Sequence, residues 1–237
     1  MAYTVGTPSS NSQSGSATSI GTTGTISASS GDTIVVFVTA AQDQTASFAA
    51  SDGTNTYALK HALYEPTTDK SLGVLVAENA TAGTYTVTGS WSGTRTSNGV
   101  YAVPVSGLKP ASYQIGAITQ QPTPGTGTDG VTTGTMTPTE QPACVIGLVL
   151  NGGSLATPAA GTGFTNIGTG WDFGLGTSLL RAIHKQITST SGVALTGTAP
   201  ADVRHFSAAV ILSESSAGAG GMSVGQMTTL MSPLIRM

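Results

Sequence analysis

Charge is what this chain has least of. Charged residues make up 8% of its 237 residues, against roughly 25% in an average soluble domain. Its polar surface must therefore be built from Thr, Ser, Gly, Asn and Gln. The 8 Lys and Arg are scattered and form no basic stripe. Nucleic acid is not expected as a partner, because binding to it rests on neutralising phosphates. A net charge of -3 also leaves little repulsion between copies, which favours assembly into oligomers or larger particles. Cysteine occurs once, at Cys144, so no internal disulfide can form. That fits folding in a reducing compartment, and its place in an apolar run reads as a buried, inert thiol. No apolar run approaches the ~20 residues of a membrane helix, so no membrane partner is expected. The opening MAYTVGTPSS has neither a basic n-region nor an apolar h-region and is not expected to be a secretory signal. Walker, G-x-S-x-G and H-E-x-x-H sequences are missing as well. The chain is expected to be no enzyme and to hold no cofactor and no metal.

What is present is strand signal. Gly31-Asp32 releases Thr33, Ile34, Val35, Val36, Phe37 and Val38, a β-branched and aromatic run too short for a typical helix. Both of its faces are apolar, which predicts a central strand covered on both sides. Ala143 to Leu150 (ACVIGLVL) is a second run of this kind. Val35, Phe37, Val87, Ile146, Leu148, Phe206 and Val210 are expected in the core. Further strands are expected at Ala2 to Gly6, Ser47 to Ala50, Tyr57 to Tyr64, Ser71 to Ala77, Tyr85 to Trp91, Asn98 to Val105, Leu179 to Ile187, Val193 to Gly197 and Arg204 to Leu212. Asp52-Gly53 carries a hairpin-turn signal, and Pro104, which cannot donate to a ladder, suggests an edge or a strand end. Lys109 to Glu140 reads as a crossing loop with short strands near Tyr113 to Ile118 and Val131 to Met136. The two halves echo each other weakly in strand order and spacing, and whether they are equivalent stays open at this level. With 32 Gly, 11 Pro and no long amphipathic helix in the body, the fold class is all-β: an antiparallel two-sheet β-sandwich, jelly-roll-like or Ig-like. The expected divisions are an N-terminal arm or edge strand over 1–30, a sandwich domain over 31–214, and a linker and docking tail over 215–237.

Few residues invite chemistry. Gly125 to Gly130 matches G-x-G-x-x-G but follows Pro-Thr-Pro and opens no helix, so it reads as coincidence. His61, His184 and His205 fall on separate strands without ligand spacing. Asp32, Asp43, Asp52, Asp129 and Asp202 sit at turn-like places, where Asp caps its own backbone. The site-like patch is the glycine-rich stretch Asn151 to Gly176. There Trp171, Asp172 and Phe173 either form an aromatic platform for a glycan or cap the end of the core. In the tail, Met227, Leu230, Met231 and Leu234 have the i, i+3, i+4, i+7 spacing of a short helix face. They either pack back on the body or dock on another subunit, for which methionine's adaptable side chain is suited.

The pattern GDTIVVFVTA, SDGTNTYAL, SLGVLVAENATAGTYTVTGSW and GVYAVPVSGL, then ACVIGLVL and FSAAVILSES, resembles a β-sandwich of tailed-bacteriophage structural proteins. Members of that group occur as head decoration, fibre or tail-associated modules. The resemblance covers Gly31 to Ser213 and rests on strand and turn patterns. It implies a non-enzymatic virion component, a head decoration or cement protein or a fibre-type one, assembled in the host cytoplasm. It further implies a homo-oligomer, a trimer first of all, docked on other virion proteins such as the major capsid protein. A carbohydrate-binding module of a host-recognition tail fibre is the alternative.

Overall fold

The computed structural model describes residues 3–66, 69–115, 119–121, 128–152, 157–172, 178–189, 191–200 and 204–214, some of the later strands by their backbone alone. The described residues are all strand, turn and loop, with no helix and with every named ladder antiparallel. The tail cluster Met227, Leu230, Met231 and Leu234 lies outside the described residues, as do Phe173, Asp202 and the glycines of the G-x-G motif before Thr128.

The first half runs β1 (Thr4–Val5), β2 (Ser9–Gln13), β3 (Ala17–Gly21), β4 (Ile26–Ala28), β5 (Thr33–Ala41), β6 (Ala49–Ser51), β7 (Ala58–Glu65), β8 (Lys70–Ala77), β9 (Gly83–Tyr85), β10 (Thr88–Arg95) and β11 (Asn98–Ser106). The second half runs β12 (Leu108–Ile115), β13 (Thr119–Gln121), β14 (Thr128–Thr132), β15 (Ala143–Gly152), β16 (Ala159–Ala160), β17 (Thr165–Asp172), β18 (Ser178–Ile187), β19 (Thr196–Pro200) and β20 (Arg204–Glu214). Their pairing repeats. A six-stranded sheet β1-β11-β5-β8-β7, with β2 also on β11, is matched by β12-β20-β15-β18-β17, with β13 also on β20. The three-stranded sheet β3-β10-β6 is matched by β14-β19-β16. Even the small β4-β9 ladder has a counterpart in the bridge between Met136 and Val193. The question the sequence echo left open is thus answered: the halves are equivalent strand by strand. The joint between them is Gly107, whose φ of 79° is the left-handed conformation glycine adopts most readily.

Three cores follow from this arrangement. One lies between the two large sheets and contains Val35, Phe37, Leu72, Val74, Tyr101 and Val103 from the first half, with Cys144, Ile146, Leu148, Leu180, Ala208 and Val210 from the second. The other two lie inside the halves, around Ile34, Val36, Val38 and Trp91 in one and Val145, Val149, Ile183 and Leu195 in the other. Alternate residues of β5 therefore enter two different cores, which is why the run is apolar on both faces and buried throughout. Val35, Phe37, Val87, Ile146, Leu148 and Val210 are buried as expected; the Phe206 side chain lies outside the described residues. Cys144 is fully buried in the shared core.

Several expectations need correction. Residues 3–30 are not a loose arm: β1 and β2 lie at the sheet edge on β11, which agrees with the edge-strand alternative, and β3 pairs with β10 and β4 with β9. The polar Ser/Thr composition of this stretch suits half-exposed strands whose partners are distant in sequence. Asp52-Gly53 is not a hairpin, since β6 pairs with β10 and β7 with β8. It is a corner at which the chain changes sheets. The Asp52 carboxylate accepts bonds from the Thr54 and Asn55 N–H groups, Asn55 Nδ2 and the Tyr57 hydroxyl. Burial alone would raise its pKa, but these bonds outweigh burial and hold it low. Pro104 is on an inner strand, opposite Ile34 of β5. It is tolerated because its missing N–H falls where β1 gives way to β2, and its carbonyl there accepts the Gly6 N–H at 2.8 Å. Asp129 lies in β14, opposite Ala199, and not in a turn. Lys109 to Glu140, expected as a crossing loop with short strands near Tyr113 to Ile118 and Val131 to Met136, contains β12 to β14, two of which overlap those expected strands, whereas the expected loop Asn151 to Gly176 contains β16 and β17.

Candidate functional site: a groove at the junction of the halves

The junction of the large sheets has two margins. At one of them β11 meets β17: the Tyr101 hydroxyl donates to the Ile167 carbonyl at 2.8 Å. Burial raises the Tyr101 pKa far above the ordinary phenol value, with Arg181 pulling the other way, so the hydroxyl keeps its proton and remains a donor. Nearby, the Tyr3 hydroxyl and His184 Nδ1 share a 2.6 Å hydrogen bond, with the rings edge to face.

Two irregularities open a groove beside Tyr101. On the first half, the strand edge along β11 breaks between β1 and β2, and Thr7 and Pro8 turn outward there. On the second half, the ladder of β17 on β18 shifts register between Ile167 and Trp171, and Gly168 takes a φ of 63°. Arg181 supports this bulge from below, donating from Nη1 to the Gly168 carbonyl and from Nε to the Pro158 carbonyl. The groove between the two irregularities measures about 470 Å³. Its walls are Thr7, Pro8 and Ser10 on one side and Gly168, Thr169 and Gly170 on the other, with Tyr101 at the base. Among the described residues, no charged side chain lines it.

A smaller recess of about 360 Å³ lies at one end of the first half, among Asp43, Gln44, Ser47, Ser92 and Arg95. Gln42 and Ser97, two residues with left-handed backbone, adjoin it in the chain, and a third, Asp69, accepts the Gln42 N–H at its carbonyl. Asp43 caps the Thr45 N–H and hydroxyl, which holds its carboxyl below the usual range. Gln44 Oε1 accepts the Ser92 N–H, and its own N–H is tied to the Ser71 hydroxyl. These bonds make the recess a well-braced turn.

The residues singled out from the sequence are dispersed. His61, His184 and His205 sit on β7, β18 and β20. Burial lowers the pKa of both His61 and His184, and His61 Nε2 is buried without a hydrogen-bond partner. Among the described residues, no group of three or more His, Cys, Asp or Glu side chains converges as metal ligands do. Trp171 and Asp172 are not in a loop: they close β17, opposite Leu180 and Leu179, and their side chains lie outside the described residues. Sequence reasoning missed the groove because its lining is Thr, Ser, Pro and Gly, which read as ordinary turn residues. The one usable signal was the glycine alternation Gly168-Thr169-Gly170 inside a stretch that pairs as a strand.

No family model, no curated protein and no solved structure matches this chain.

Proposed function

We propose that this chain is a non-enzymatic structural protein of a tailed-phage virion, a head decoration or cement protein or a fibre-type component. In this reading each half is a jelly-roll-like sandwich, and the body oligomerises, as a trimer first of all, on the major capsid protein. The C-terminal segment with Met227, Leu230, Met231 and Leu234 supplies a second contact to a neighbouring subunit. The observation that carries the reading is the build of the body: two all-β halves of matching strand order that share a core, joined by a single glycine and bearing very little charge. A block of this kind is stiff, because its halves cannot separate without exposing apolar surface. It also packs beside copies of itself without electrostatic repulsion. The sandwich pattern that resembles phage structural proteins supports it further.

The test is composition and reconstruction of purified particles. Stoichiometric copies of the chain on the particle surface are expected, with density for the C-terminal segment against an adjacent subunit. Truncation after Ser216 should leave melting nearly unchanged and reduce incorporation. Absence of the chain from purified particles would overturn the proposal.

A further inference from the structure

We propose that the groove between Pro8 and the Gly168–Gly170 bulge binds a neutral saccharide unit. This goes beyond a structural role, since holding a place in a particle does not require such a site.

The first argument is chemical. Thr7, Ser10 and Thr169 supply hydroxyls and Pro8 an apolar flank, over the largely buried Tyr101 at the base. That mixture suits a ring with one C–H face and several hydroxyls. Among the described residues no carboxylate or cation lines the groove, and the nearby Arg181 directs Nε and Nη1 to the Pro158 and Gly168 carbonyls, which favours a neutral ligand. The volume of about 470 Å³ falls in the ordinary range of small-ligand sites, roughly 300–1,000 Å³.

The second argument is the glycine at the bulge. A Cβ on Gly168 would come within 3.0 Å of Pro8 Cγ and 3.3 Å of the Tyr101 hydroxyl, and its φ of 63° disfavours any other residue. The groove keeps its width because this position has no side chain. Residues 168–170 also fall outside the β17–β18 register, and the Gly168 carbonyl is held by Arg181 and not by a ladder partner. Bulges re-aim backbone and side chains in this way next to binding sites.

The third argument comes from the repeat. Gly89 and Gly197 hold the same position, each bringing β10 or β19 against a valine, Val38 or Val149. With that register, Tyr101 corresponds to Ala208 and Ile167 to His61. At the opposite margin Ala208 stands where Tyr101 does, and β7, whose own register shift falls between Leu59 and His61, carries no glycine there. The two margins thus differ in chemistry at the groove.

The experiment uses the full chain and a panel of neutral disaccharides and trisaccharides, with sialylated and uronate-containing glycans beside them. Saturation-transfer NMR and calorimetry are read for the wild type, for Thr7→Ala/Thr169→Ala, and for Thr169→Trp, which fills the groove. Both positions are exposed, so melting should be unchanged. Millimolar or tighter binding of at least one neutral sugar is expected. The double variant should weaken it about tenfold, the loss of two hydrogen bonds, and Thr169→Trp should abolish it. Three outcomes would overturn the proposal: no neutral sugar binding at millimolar concentration, a clear preference for the acidic glycans, or binding that both variants leave intact. None of them bears on whether the chain is found in particles.

Discussion

Tyr101 and Ala208 occupy the same position in the two halves and meet different surroundings. The Tyr101 hydroxyl crosses the junction to the Ile167 carbonyl. Where Ala208 stands there is no hydroxyl to do this, and the residue corresponding to Ile167 is His61, whose Nε2 is buried without a partner. Tyr101→Phe should cost about 1–3 kcal/mol, the usual penalty for leaving a buried carbonyl unsatisfied, measured by denaturant unfolding. A change below a few tenths would mean water replaces the hydroxyl. His61 supports a pH prediction. Burial depresses its folded-state pKa below the ordinary imidazole value of about 6.5. The unfolded chain therefore takes up the proton first, so stability is full above about pH 6.5 and falls as pH drops through that value. His184 acts in the same direction. His61→Ile, which copies the residue of the other half, should flatten the fall in unfolding free energy between about pH 7 and about pH 5. An unchanged slope would assign the whole effect to His184 or to the carboxylates.

At the scale of elements, close approach between sheets depends on residues without side chains. Gly89 on β10 lies against Val38 of β5, where an added Cβ would be 2.9 Å from Val38 Cγ2. Gly197 on β19 repeats the arrangement against Val149, again at 2.9 Å. Gly89→Ala and Gly197→Ala should each destabilise by about 1–3 kcal/mol, the ordinary range for overpacking a well-filled core. Similar values for the two would support equivalence of the halves in energy as well as in topology. The N-terminal strands give a second test. Because β2 pairs with five residues of β11, Asn98 to Ala102, removing residues 1–13 strips one edge of the large sheet. Such a chain should melt earlier and self-associate through the bared edge, seen by scanning calorimetry and size-exclusion chromatography. A truncated protein that stays monomeric with unchanged melting would restore the reading of this stretch as a free arm.

The whole molecule holds together through the face shared by its large sheets. Each half alone would expose that face, including Val35, Phe37, Leu72 and Val74 on one side and Ile146, Leu148, Leu180 and Val210 on the other. Residues 1–107 and 108–237 expressed separately should therefore associate with each other on mixing or aggregate when kept apart, and the intact chain should unfold in one transition. Two separate transitions, or two stable monomeric halves, would contradict this. Cys144 is a probe of the same face: fully buried there, it should label with a thiol reagent only on unfolding.

The strand residues determined the fold class on their own. Alternation in Tyr85 to Trp91 leaves Tyr85, Val87 and Trp91 buried and Thr84 and Thr86 exposed, even though the chain changes partners between β9 and β10. The doubly apolar runs at β5 and β15 marked the central strands, because a strand covered on both faces has no polar side to show. What only the tertiary structure decided was the partner of each strand. Period-2 patterning records which side of a strand is buried but not which sheet covers it, so one large sandwich and two fused ones read alike. β1 was legible as an alternating segment, but β2, Ser9–Gln13, was hidden for a related reason: serine and threonine serve equally well in a half-exposed strand and in a loop, and long-range pairing alone distinguishes them. The groove was least legible of all. It exists because two ladder breaks, at Thr7-Pro8 and at Gly168–Gly170, lie some 160 residues apart in the chain and meet only when the large sheets pack face to face.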